Sequence, residues 1–530
     1  MPAIITDQYR ILNAETFVDS FSGIGTNRIN NYYSFLGHPN PKNTDVKNYG
    51  DSGWGNPVPN PIDAFDQENF YYDSMLFLKK VTPNDVRRVV PRLDWQTGTT
   101  YEMYRNNYSS SNRTPQTKST TLYGSQYFVV NSEFNVYLCI NNGSNPDNPN
   151  GQKSLFEPTH TNTVPQEAGN GSDGYLWKYL FTISPSDIVK FVTTTYIPLP
   201  KKWGDTSTKT IKDASVDGKI ETVIIKNGGS GYSIDTSGTV SSTGTISDIP
   251  ITGDGTGGTV SININSGIVE SISGVVGGSG YTYAAVRFES GQFGGKTLIV
   301  GSGAEFEVII PPKGGHGADI YRELGGFRVM LYSKYDNNVD HVPDYVVGND
   351  FSRVGLVKNP LQFGGTDLLN NTTATNLGAL KLKPDATSGL TTSQVTYTPN
   401  DLITQTVGVG STAVGYVASW NPDTGVLRYY QPVGFSTLST YSYKKLDFVG
   451  SGNTSPITGG SPENLVVDGT FSGKTTTIGG KNVDLGQTFN LGKASPEVKK
   501  YSGEIIYIDN RAPVTRTASQ KEEVKIVIEF

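Results

Sequence analysis

The residues of this 530-residue chain that could do chemistry are its glycine loops, four histidines, one cysteine and scattered carboxylates. The run "NGGSGY" at Asn227–Tyr232 returns as "VGGSGY" ending at Tyr281, and loops of this kind hold phosphate, hold calcium or turn strands. "GDGTGG" at Gly253–Gly258 imitates a dinucleotide fingerprint. That fingerprint needs a strand before it, a helix after it and an acidic residue about 20 positions on. Here "TVSININ" follows, a strand pattern, so no helix N-terminus is available to hold a phosphate. Calcium binding through "GGxGxD" nonapeptides needs many stacked copies. In the first loop Asp235 falls two residues late, and the second loop has no aspartate. What is left is a structural role, with glycines supplying positive φ at tight turns and each tyrosine capping a small β core.

His38, His160, His316 and His341 form neither HExxH nor HxH, and each lies in a Gly-, Pro- or Asn-rich stretch. His316, in "GGHGAD", is the best placed for a site, yet no GxSxG nucleophile accompanies it. It is therefore read as turn or surface structure. Carboxylates such as Glu522–Glu523, or Asp344 and Asp350, cannot be paired as general acid and base without a fold that brings two together. Cys139, the single cysteine, excludes an internal disulfide and a cysteine-based zinc site, and its apolar run "VYLCI" predicts a buried packing residue. These residues predict no catalytic, metal or cofactor site and no enzymatic activity.

The elements around them are mostly short strands. "DQYRILNAETFVDSF" (7–21) predicts a helix with Ile11, Ala14, Phe17, Val18 and Phe21 on one face, ended by Gly23. Asn60–Pro61 predicts the start of a helix carrying Phe65, Tyr72 and Leu76 toward a core, and Thr82–Asp85 caps a short helix that Pro91 stops. "SQYFVVNSEFNVYLCINNG" and "SDGYLWKYLFTI" read as strands, and Ser184–Asp187 starts another short helix. Between about 201 and 311 the chain is Gly-, Ser- and Thr-rich and duplicated. "IETVIIKNGGSGY" (220–232) matches "VESISGVVGGSGY" (269–281), and "GTGGTVSIN" (255–263) matches "GSGAEFEVI" (301–309). Val260, Ile262 and Ile264 alternate with polar residues, the period of a half-buried strand. A second polar region, about 366–495, contains four or five short strands over 395–435, with "NPDTG" as a hairpin turn. The last block places Val524, Ile526, Ile528 and Phe530 on one face of a strand.

The expected fold is mainly β (β-rich α+β): a discontinuous body of sandwich or sheet layers with a few short helices. The body comprises 1–205, 313–365 and 496–530, and carries a duplicated glycine-rich β domain at 206–312 and a small barrel-like region at 366–495. Composition agrees with this, since 30 Tyr and 22 Phe can build cores while charged residues make up only 17%. A net charge of −6 without a Lys/Arg run lacks the basic footprint of a nucleic-acid binder. "MPAIITDQYRIL" has no secretory pattern, no stretch approaches the roughly 18 apolar residues of a membrane span, and synthesis in the cytoplasm is expected.

Particular blocks add to this. "YSGEIIYIDNRAPVTRTASQKEEVKIVIEF" (501–530) resembles the C-terminal signature of baseplate proteins in contractile-tailed bacteriophages of the T-even type. "VRRVVPRLDW" (86–95), "DGYLWKYLFTI" (173–183) and "FSRVGLVKNPLQF" (351–363) resemble further elements of that family, in its order. The resemblance covers about 1–200, 320–365 and 496–530, and points to the wedge subunit, with both insertions lying outside it. Enlarged relatives of this type occur in phages of cyanobacteria. The resemblance implies a structural virion protein of the tail baseplate, made in the host cytoplasm, homodimeric and contacting other wedge proteins. Charge and hydropathy add the expectation of no nucleic-acid partner and no membrane insertion, and contact with the host surface through the insertions is left open. The alternative reading is a receptor-binding or tail-fibre protein whose insertions hold host glycans. A fibre would usually show a long repeat, whereas here one unit is duplicated once.

Overall fold

The computed structural model describes residues 4–23, 30–37, 58, 60–336, 350–431, 446–517 and 520–530. The protein is mainly β, with several antiparallel sheets, and among the described residues there are five short α-helices. Two compact units divide the chain, and each is discontinuous. The first comprises Met1–Val18, Arg87–Met330 and Val527–Phe530; the second comprises Asp19–Val86 and Leu331–Ile526.

In the first unit, strands Phe128–Val130 and Asn135–Asn142 form a hairpin, and the longer strand pairs on with Tyr175–Thr182. Their β-branched and aromatic residues feed one core, in which Tyr137, Cys139, Tyr175 and Trp177 are fully buried. Tyr175 and Trp177 stack, with ring centroids 5.3 Å apart, and Tyr101 meets both edge-on. Helix Pro185–Phe191 begins where Ser184 accepts a hydrogen bond from the Asp187 amide. The duplicated region has its own core, built from Val260, Ile262, Ile264, Tyr232, Tyr281 and their neighbours.

In the second unit a five-stranded antiparallel sheet runs in the order Thr373–Thr375, Met75–Val81, Tyr32–Gly37, Asp350–Lys358, Glu504–Thr515. Leu402–Gly408, Ser411–Asn421 and Val426–Tyr430 belong to another sheet, and among the described residues of 395–435 they are three strands where four or five were expected. Strand pairing leaves that sheet open among the described residues, its order ending at Leu402–Gly408 and Val466–Val467. The Asn421 side chain accepts from the amides of Asp423 and Thr424, which makes "NPDTG" the turn expected.

Three local expectations fail. Thr82 and Asp85 do form a capping box, but it closes only the single 3-10 turn Pro83–Asp85, and Val86–Pro91 is a strand. Its β-branched residues Val86, Val89 and Val90 are buried, and the strand pairs with Tyr196–Pro198. The helix placed at Pro61 starts at Phe65, because the Tyr71 hydroxyl accepts from the Ile62 amide and donates to the Ile62 carbonyl, fixing that segment outside the helix. Phe65 is 93% exposed and so outside the core, and Leu76 lies on the strand Met75–Val81. The helix near the N-terminus runs Asp7–Asp19, with Ile11 and Ala14 buried as its pattern requires.

Candidate functional site

The glycine loops form a crossed structure. The opening strand of the first copy, Val223–Ser230, pairs with the closing strand of the second, Ser302–Val308. The opening strand of the second copy, Ile268–Ser279, pairs with the closing strand of the first, Thr256–Asn265. The registers correspond: Ser302 faces Ser230 and Ala304 faces Gly228, as Thr256 faces Ser279 and Gly258 faces Gly277. Each motif tyrosine then makes the equivalent bond. Tyr281 accepts from the Gly258 amide at 3.0 Å, and Tyr232 accepts from the Ala304 amide at 2.9 Å. Tyr281 also donates to the Ile251 carbonyl at 2.9 Å.

This geometry differs from that of a phosphate cradle. The Gly258 and Ala304 amides are taken by tyrosine hydroxyls, those of Gly229 and Gly280 bond Asn227 and the Asp217 carbonyl, and backbone from the other copy lies close to Gly229 and Gly278. A Cβ on Gly278, where φ is +58°, would lie 2.2 Å from the Thr256 carbonyl oxygen, and one on Gly229, at +61°, 2.4 Å from that of Ser302. After "GDGTGG" the chain continues as a strand. Tyr281→Phe should lower stability by about 1–3 kcal/mol, because it strands the buried Gly258 amide, and Tyr232→Phe by the lower end of that range, because the Ala304 amide is only half-buried. Urea denaturation of the two variants checks this, and Tyr281→Phe should be the costlier.

A carboxylate contact in the first copy also has no counterpart in the second, where Val300 stands at the position of Asp254. Asp254 accepts from the hydroxyl and amide of Thr282 and from the amide of Tyr283, at 2.5, 2.9 and 3.2 Å. The Thr282 hydroxyl, followed by its amide, pushes the carboxyl down to about 2. A depressed carboxyl stabilises the fold above its unfolded value and loses that contribution as pH falls through the folded one. At pH 3 the Thr282 and Tyr283 amides should therefore stay protected from hydrogen exchange in the native chain and exchange faster in Asp254→Asn.

His316 has a partner that the sequence reading did not supply. Its Nδ1 lies 2.5 Å from Oε1 of Glu323, and both side chains are buried. The second Glu323 oxygen accepts from the Gly317 amide at 2.7 Å, and Tyr104 meets the imidazole edge-on at 4.6 Å. Glu323 closes the helix Ile320–Glu323, which Asp319 caps through the amides of Tyr321 and Arg322. The pair thus clamps "GGHGAD" over its own helix, so the loop histidine is a core residue and not surface. Acyl transfer would further need a nucleophile on the ring, and among the described residues no hydroxyl or thiol bonds to His316.

His160 packs edge-on against Tyr137, whose hydroxyl donates to the His160 carbonyl. Burial pushes its imidazole down, toward the neutral form. His38, His341 and Asp344 lie outside the described residues, as does the side chain of Asp350. Glu522 pairs with the fully buried Arg516 at 2.6 Å, whereas Glu523 accepts from Tyr332 at 3.2 Å, so the two carboxylates serve different partners. Cys139 is free and buried, and burial raises its thiol well above the ordinary value. Among the described residues no group of three or more His, Cys, Asp or Glu could hold a metal ion.

Pattern reading missed the buried ion pairs where the duplicated domain joins the rest of its unit. Lys178, on the strand Tyr175–Thr182, meets Glu221 at 3.1 Å with both side chains almost wholly buried. Arg105 meets Glu307 at 2.9 Å, and Asn107 donates to the other Glu307 oxygen at 2.8 Å. Asn141 donates to Thr222 at 2.9 Å. The residues leading into the first strand of the duplicated domain, and its last strand Ser302–Val308, are thus keyed to the rest of the unit. Alternation along a strand reports which side chains point inward but not whether an inward charge finds a counter-charge.

The second unit brings together two of the blocks singled out from sequence. Asp350–Lys358, from "FSRVGLVKNPLQF", pairs along its length with Glu504–Thr515, from "YSGEIIYIDNRAPVT". Arg353 is fully buried between them, its Nε donating to Asn510 at 3.1 Å and its guanidinium 5.2 Å over the Tyr71 ring. No family model matches the chain, and no curated protein matches it. No helix among the described residues is long and apolar enough to cross a membrane.

Proposed function

We propose that this chain is a structural subunit of the baseplate wedge in a contractile phage tail. It assembles by protein–protein contacts and rearranges with its neighbours on contraction, during host attachment and genome delivery. In this reading it acts without catalysis, is made in the host cytoplasm, resides in the virion and forms a homodimer beside other wedge proteins. The observation that carries the reading is the pairing of Asp350–Lys358 with Glu504–Thr515 around buried Arg353. Two of the blocks that carry the resemblance, the C-terminal one and 351–363, are distant in sequence, yet they are hydrogen-bonded neighbours in one sheet. Interlocked segments and buried ion pairs suit a part that must transmit force without unravelling.

Cryo-EM of the purified tail tests the proposal. The chain should be found in the wedge ring, and finding it only at a fibre tip overturns the assignment. Sedimentation of the isolated chain at micromolar concentration should give a dimer, and monomers alone would remove that part of the reading.

A further inference from the structure

The segment 155–165, between Ser154 and the strand Gln166–Glu167, has no helix or strand of its own. Among the described residues, 156–165 make no backbone–backbone hydrogen bond. Side chains hold the segment instead. Asn131 donates to the Pro158 carbonyl at 3.0 Å, Tyr137 to that of His160 at 2.9 Å and Lys178 to that of Thr163 at 3.2 Å. A segment tied down in this way opens at less cost than the paired strands beside it.

Its histidine points inward. Both His160 ring nitrogens are shut off from solvent, and neither makes a well-formed hydrogen bond among the described residues. The ring rests edge-on against Tyr137, with centroids 5.5 Å apart. Burial lowers its affinity for a proton, and the nearby Trp177 backbone offsets this only in part. The titratable groups on the elements around it are already engaged. Tyr137 and Tyr179 pack on each other as phenols, Glu157 accepts from the Ser132 amide, Glu133 accepts from the Asn135 side chain, and Lys178 is paired with Glu221. A proton on the enclosed ring would therefore be a charge without a counter-charge, and such a charge favours leaving for water.

We infer that residues 155–165 form an acid-released strap, closed while His160 is neutral and opened when the ring takes up a proton and moves into solvent. The closed form binds fewer protons than the open one. Closure is thus fully favoured above the ordinary imidazole value of about 6.5 and weakens as pH falls below it. Opening withdraws His160 from the Tyr137 ring, which is fully buried in the closed form. This device does not depend on the wedge assignment.

Hydrogen exchange of the full chain at about pH 7.5 and about pH 5, corrected for the intrinsic pH dependence of exchange, tests it. Protection over 156–165 should be at least about threefold lower at the acid pH, while the strand Asn135–Asn142 keeps its own. His160→Gln and His160→Phe cannot take up the proton, and should abolish the difference at an unchanged melting temperature. The wild-type ring, followed by NMR, should titrate below its ordinary value. Titration at or above that value overturns the inference whether or not the variants fold. So does equal protection at the two pH values, a difference that survives in either folded variant, or an acid loss shared equally by Asn135–Asn142.

Discussion

Replacing Lys178 by methionine should lower the stability of the chain by about 3–5 kcal/mol, the cost of leaving a buried carboxylate without its counter-charge. Lys178 and Glu221 are 3% and 8% exposed, so water cannot take over the solvation of the remaining charge. The Thr163 carbonyl, 3.2 Å from the ammonium, would lose its donor as well. The companion variant separates burial cost from attraction. In Lys178→Met/Glu221→Leu both charges are gone, and stability should return to within about 1 kcal/mol of the native chain or exceed it, because desolvation offsets most of a buried pair's attraction. Urea unfolding of the single and double variants reads both values. A single variant as stable as the native chain would mean that Glu221 has another partner or reaches solvent, and that the duplicated domain is not keyed to its unit in this way.

Alanine at Gly278 should cost about 3 kcal/mol or more. A left-handed backbone charges an L-residue roughly 1–2 kcal/mol, and overpacking adds about 1–3. The added methyl would lie 2.2 Å from the Thr256 oxygen and 2.6 Å from the Gly258 nitrogen, and backbone cannot swing aside as a flexible side chain would. Gly238 is the control: its φ is +88°, but nothing lies within 4 Å of a Cβ there, so Gly238→Ala should cost only the conformational part. Equal melting temperatures for the two variants would show that the contact between the copies can relax. A large gap between them ties the glycines of the duplicated motif to mutual approach of the two copies, and not to turning alone.

The mainly β character, the helix Pro185–Phe191 behind its Ser184 cap and the turn Asn421–Gly425 could be read from the chain because each depends on neighbouring residues. So could the burial of Val260, Ile262 and Ile264, since alternation along a strand is itself a statement about faces. Val86–Pro91 was misread because proline and a capping pair are local signals, whereas a run of β-branched residues takes its state from the strand it can pair with. The same reasoning applies to the candidate site. The type and spacing of "GGSGY" were enough to argue against a phosphate loop, but not to say which strand would pair with which.

By itself, the sequence determined the strand-rich composition, the once-duplicated unit and the turn chemistry at its glycines, all of which follow from propensity, periodicity and backbone freedom. Only the tertiary structure decided that each copy completes the other, that His316 rests on Glu323 and that Lys178 finds Glu221 43 residues away. Partner choice is set by burial and by contacts between distant segments. A charge or an amide inside the protein must be met by whatever the fold brings beside it, and no local pattern encodes that neighbour.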